Sequence, residues 1–171
     1  MTGESLLRAP ARTEVDNRPT LPDWHQLSAA FRGKLGRDPG DNPIIRWARD
    51  LASLHRITRT NPRRTSDYDQ RRGEIADLID TWVSTHVPPP PHRCPLSERP
   101  GIAVDRIAGA HVEAEYALRA ADTVTAEEMH DIWFRVGLLA VRWADLVAAI
   151  VDGQPPVPWP PARTNPPPSE R

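Results

Sequence analysis

Apolar residues recur along this chain at spacings of three and four, the period of an amphipathic helix, and proline-rich stretches interrupt that pattern. No alternating apolar run is bounded by turn residues, so no strand is expected. The spacing predicts a short helix from Pro22 to about Leu35, closed by the glycines of GRDPGDNP. A second helix begins with Asn42 as N-cap and Pro43 in its first position. It carries Ile44, Trp47, Leu51, Leu54 and Thr58 on one side and stops before Pro62. A third begins near Ser66, with Tyr68, Ile75, Ile79, Trp82, Val83 and His86 on one side. A fourth begins between Ser97 and Gly101, with Pro100 in its first turn. Its stripe is Ile107, Ala110, Ala114, Leu118 and Ala121; His111 falls inside it and Glu115 on its shoulder.

The fifth helix has the clearest start, a capping box from Thr125 to Glu128, and it stops at Gly153. Met129, Trp133, Val136, Ala140, Trp143, Val147 and Ile150 line one side. Leu139, Leu146, Phe134 and Val141 widen that side well beyond one seam. A helix so broadly apolar is expected at the centre, covered by several others. Asp131 with Arg135 and Arg142 with Asp145 have the spacing of exposed pairs on its remaining face. Gly137, Ala144 and Ala148 form a flank that a neighbour can approach closely. The expected fold is all-α: a bundle of four main helices plus one short N-terminal helix.

The 20 prolines set the domain limits. Residues 1–20 are polar and read as a disordered arm, residues 21–153 as the bundle, and residues 154–171 as a proline-rich tail. VPPPPHRCP, residues 87–95, cannot be helix interior and reads as an extended connector. In the tail, Trp159 sits in PPVPWPP, a rigid segment suited to docking on a partner or back onto its own bundle.

With 171 residues, 39% of them hydrophobic, the chain can bury one real core. A net charge of -1 gives no general attraction to nucleic acid or to an anionic membrane. No apolar run reaches membrane-spanning length and no secretory signal is visible. Cys94 is the only cysteine, so no internal disulfide is expected and a cytoplasmic setting is the default.

Three histidines, His55, His86 and His111, lie on or beside the apolar stripes of three different helices, with Glu115 one turn from His111. Bundle interiors build metal and ligand sites from such residues. The competing reading is structural, with each ring satisfied by a carboxylate or a backbone carbonyl. His92 and Cys94 supply two zinc-ligand types in one loop, with no second pair to complete a site. The stretch 56–72 holds Arg56, Arg59, Arg63, Arg64, Arg71 and Arg72, a basic patch suited to phosphate groups or an acidic partner. There is no glycine-rich phosphate loop, nucleophile elbow or dinucleotide fingerprint, so no catalytic residue and no cofactor is assigned.

Four segments, LASLHR (51–56), EIADLIDTWV (74–83), GIAVDRIA (101–108) and IWFRVGLLAVRWADL (132–146), resemble in order and spacing the bacterial family called domain of unknown function 4254. The resemblance spans about residues 21–153 and implies a small helical protein with no assigned activity. It would carry over His55, Asp80, Trp82, Asp105 and Arg106 without roles. Physically, Asp80, Asp105 and Arg106 lie toward helix boundaries and suit an interhelical ion pair that fixes register. The leading expectation is a non-enzymatic bundle acting through contact with another protein, as a small regulatory or accessory subunit. The alternative is a metal- or ligand-binding bundle using His55, His86, His111 and Glu115. Phosphate or nucleic-acid binding by the Arg56–Arg72 stretch ranks third.

Overall fold

The computed structural model describes residues 20–155. Within them the chain is all-helical: α1 (Trp24–Phe31), α2 (Pro43–Thr60), α3 (Thr65–His86), α4 (Pro100–Arg119) and α5 (Ala126–Asp152). There is no strand among the described residues. The expected arm and most of the tail, Trp159 included, lie outside them.

The starts of α1, α2 and α5 follow the capping chemistry of the sequence. Asn42 accepts from the Ile44 amide at 2.9 Å with Pro43 at the first position, and Thr125 and Glu128 form the reciprocal box. Asp23 and Gln26 form a second box at the start of α1. α1 is shorter than its pattern suggested, because the chain turns after Phe31 through Gly33, which has a positive φ of 71°. A 3-10 turn at Pro62–Arg64 joins α2 directly to α3. α5 ends where Gly153 adopts the left-handed conformation.

α4, not α5, is the central helix. α4 touches all four other helices, whereas α5 touches only α4 and α1. The reason is side-chain size. α4 carries Gly101, Ala103, Ala108, Gly109, Ala110, Ala114 and Ala117, so helices can crowd it from several directions. A Cβ at Gly101 would lie 2.0 Å from the Ala76 carbonyl oxygen of α3. A Cβ at Gly109 would lie 2.9 Å from the His55 ring of α2. Most of the bulky side chains that fill the remaining space come from the neighbours, Leu27 and Phe31, Ile44 and Leu51, Ile79, and Trp143, with Val104 and Ile107 added by α4 itself.

α5 buries Val136, Leu139, Trp143, Leu146 and Ile150 against this centre. Trp143 is 1% exposed, and its indole N–H donates to the Pro22 carbonyl at 2.8 Å, tying α5 to the segment before α1. The expected breadth of apolar cover does not occur. Trp133, Phe134 and Val141 face outward, as do Leu118 and Ala121 of the stripe expected on the fourth helix. Arg135 also departs from the expected pairing with Asp131; it reaches Glu113 of α4 at 2.9 Å. No described helix is long and apolar enough to cross a membrane.

Two glycine substitutions separate crowded from open positions. Gly101→Ala should cost about 2 kcal/mol or more by forcing α3 and α4 apart. A methyl group added at Gly137 would meet nothing within 4 Å. Gly137→Ala should therefore stabilise by roughly 0.5–1 kcal/mol through helix propensity. Denaturant unfolding of both variants would measure the contrast.

Candidate functional site

The inward-facing polar groups of α4 form two clusters. In the first, Asp105 accepts from His55 Nε2 at 2.8 Å and from Arg72 Nη1 at 2.9 Å. Arg72 also donates to Asp69 at 2.6 Å. The backbone carbonyl of Asp105 lies 3.1 Å from the same His55 nitrogen. In the neutral ring, two acceptors at Nε2 place the proton there and leave the Nδ1 lone pair free. The Arg72 nitrogen 3.1 Å from Nε2 is then a second donor sharing the Asp105 carboxylate. Burial pushes the Asp105 carboxyl up, but the hydrogen bond of His55, its charge when the ring is protonated, and the charge of Arg72 outweigh it and hold the group below its usual value.

In the second cluster, Glu115 is taken by Arg56 at 2.7 Å, and the same guanidinium nitrogen donates to the Phe31 carbonyl at 2.6 Å. His111 is buried beside Trp24 and Phe31. Its Nε2 lies 3.4 Å from the Ser28 hydroxyl. Its Nδ1 is 3.7 Å from Glu115, beyond a hydrogen bond, and stays buried without a partner. The carboxylate expected to satisfy this ring is engaged by an arginine instead. Burial depresses the His111 pKa; the Glu115 charge opposes this, and Arg32 and Arg56 reinforce it.

The four residues proposed as a convergent site therefore separate. His55 belongs with Asp105 and Arg72, and His111 lies near Glu115 and Ser28. His86 is exposed, stacked on Trp82 with ring centroids 4.8 Å apart. Among the described residues no three His, Cys, Asp or Glu side chains are grouped to hold a metal ion.

The arginine stretch divides in the same way. Arg56 and Arg72 turn inward as partners of α4 carboxylates, and Arg71 pairs with Glu74 at 2.8 Å. Arg63 and Arg64 are exposed in the 3-10 turn. Arg59 lies over the Tyr116 ring at 4.6 Å from its centroid, with Arg119 at 5.6 Å. Asp80 pairs not with a helical arginine but with Arg99, the residue just before α4, and its other oxygen accepts from the Gly101 amide at 2.7 Å. It thereby caps α4, whose own N-cap residue Arg99 makes no side-chain cap. Arg106 pairs with Glu98.

Two clefts adjoin these groups. A shallow one of about 240 Å³ lies between α2 and α4 over His55, Thr58, Arg59, Gly109, Val112 and Glu113. A larger one of about 400 Å³ lies under the proline connector, walled by Val83, Val87, Pro90, Leu96 and Ile150, with Cys94 at its edge. The Cys94 thiol donates to the Gln154 carbonyl at 3.3 Å. Periodicity does not reveal either cleft, because each is built by residues from separate segments.

Asp105→Ala should cost about 3 kcal/mol, since it leaves Arg72 and His55 inside without their shared carboxylate; urea unfolding measures this. His111 binds its proton more weakly folded than unfolded, so full stability holds above pH 6.5 and falls as pH drops below it. Unfolding curves between pH 7.5 and about 5 should show that loss, and His111→Leu should flatten it. The chain matches no family model, no curated protein and no solved structure, and the resemblance to the family named above gains no support from those comparisons.

Proposed function

We infer that the protein acts by holding an amphipathic helix of another protein along the outward face of α5. The observation that carries this reading is a second apolar seam on α5, opposite the one that builds the core. Phe134, Val141 and Ala148 recur every seven residues, and Gly137, Ala144 and Val151 interleave with them. That is the a/d spacing of a two-helix contact. Phe134 is 58% exposed, Val141 53% and Val151 46%, and Trp133 flanks the seam. Leu118 adds a further exposed side chain on α4. Contiguous exposed apolar surface of this kind marks interaction sites. Gly137, Ala144 and Ala148 leave room for a partner backbone to come close, while Phe134 and Val141 supply the knobs. From Phe134 to Val151 the seam runs about 25 Å at helical rise, enough for several turns of a partner helix.

The reading is tested with a photo-crosslinking residue at Val141 in producing cells. One discrete protein adduct is expected, identified by mass and reconstituted from purified components. The same residue at Thr81, exposed on α3, should give none. Val141→Asp should abolish the reconstituted complex while changing stability by less than about 0.5 kcal/mol, as exposed substitutions do. No adduct at Val141, or the same adducts from Thr81, would sink the reading.

A further inference from the structure

We propose that the cleft between α2 and α4 is a binding site for hydrogenphosphate, a phosphate group that still carries a proton at neutral pH. The site is separate from the outward face of α5, and its chemistry follows from two fixed groups. His55 is the first. Asp105 and the Asp105 carbonyl hold its Nε2 proton, and Arg72 holds Asp105 in turn. The neutral imidazole is thus held by three helices in its Nε2–H tautomer. Its Nδ1 has no hydrogen-bond partner among the described residues, and the ring lines the cleft. A lone pair presented this way accepts a proton from a ligand and repels an acceptor-only anion.

Arg59 is the second group. It lies one turn beyond His55 on α2, lines the same cleft and has no carboxylate partner among the described residues. Stacking on Tyr116 limits its rotamers, so a bound anion orders less side chain. Arg119 on the same ring adds positive potential at that end of the bundle. The cleft also contains Glu113, whose charge would oppose an anion, but Arg135 binds that carboxylate at 2.9 Å and offsets it. Gly109 forms the floor. The missing Cβ lets the His55 ring lie against α4, since a methyl there would come within 2.9 Å of Cε1.

A ligand that satisfies both groups needs a negative oxygen for Arg59 and an acidic hydroxyl for Nδ1. Hydrogenphosphate carries both on one phosphorus. Sulfate has the same shape and charge but no proton near neutral pH. The two anions therefore discriminate this site from a merely basic surface.

The experiment is a parallel titration of the full chain with inorganic phosphate, glycerol phosphate and sulfate at matched ionic strength, followed by long-range 1H–15N spectra of the histidine rings. The expected result is an Nε2–H tautomer at His55, a saturable shift of its Nδ1 with phosphate at millimolar concentration, and sulfate weaker by about tenfold, the loss of one hydrogen bond to a fixed acceptor. Glycerol phosphate, whose dianion has no acidic proton above about pH 6, should bind as weakly as sulfate, and tighter binding of it than of inorganic phosphate would count against the proposal. Arg59→Gln, an exposed position, should keep the fold and remove the phosphate response. Gly109→Ala should displace the His55 ring and remove the response even where melting shows the bundle intact. Equal response to sulfate and phosphate, an Nδ1–H tautomer, or full binding by Arg59→Gln would overturn the proposal.

Discussion

At Gly101 the backbone of α4 lies so close to Ala76 of α3 that a single methyl group would overlap the Ala76 carbonyl. This closeness sets the rest of the bundle. Because α4 is lined with glycine and alanine, four helices reach it, and most of the large apolar side chains that fill the core are supplied by those neighbours. The same crowding removes water from one side of α4. Any polar group that faces inward there must find a partner on another helix or remain unsatisfied. Asp80 reaches across from α3 to cap the Gly101 amide at this point of nearest approach. One short contact therefore fixes the spacing, the register and the start of the central helix.

The fate of the arginines follows from that crowding. In sequence they form one basic stretch between two helices. In three dimensions Asp105 and Glu115, partly buried on α4, draw Arg72 and Arg56 inward. A buried carboxylate with no cation would cost several kcal/mol, so these pairs are conditions for folding more than additions to stability. Between them the two pairs tie α2, α3 and α4 into one unit. His55 is held as a by-product of the first pair. His111 is less well served: Arg56 takes the carboxylate nearest to it, and one ring nitrogen is left unpaired in the core. Only Arg59, Arg63 and Arg64 remain outward from the original stretch without a carboxylate among the described residues.

α5 shows the opposite case, a helix with more apolar surface than the bundle can cover. Its inner seam centres on Trp143, whose indole is matched by the Pro22 carbonyl. Its outer seam has nothing over it among the described residues. Apolar width alone suggested a central helix. The structure places it at the edge, because a helix carrying Trp, Phe and Leu cannot be approached on all sides as closely as one carrying Ala and Gly. Small side chains decide centrality here, and large ones decide where the core is filled.

The helical period, the caps at Asn42 and Thr125 and the stop at Gly153 were legible in the sequence, because each depends on residues within about one turn of one another. The all-α class and all five helices were set at that level, with only the end of α1 misplaced. The pairing of Asp105 with His55 and Arg72 was not, since it joins residues 50 and 33 positions apart, and no local rule ranks one buried partner above another. For the same reason the histidines looked as though they could meet, and Glu115 looked like the partner of His111. Spacing on one helix gives the face a side chain occupies, but not which neighbour covers that face. That choice was made by packing: glycine and alanine brought α4 to the centre, and its carboxylates then selected their cations.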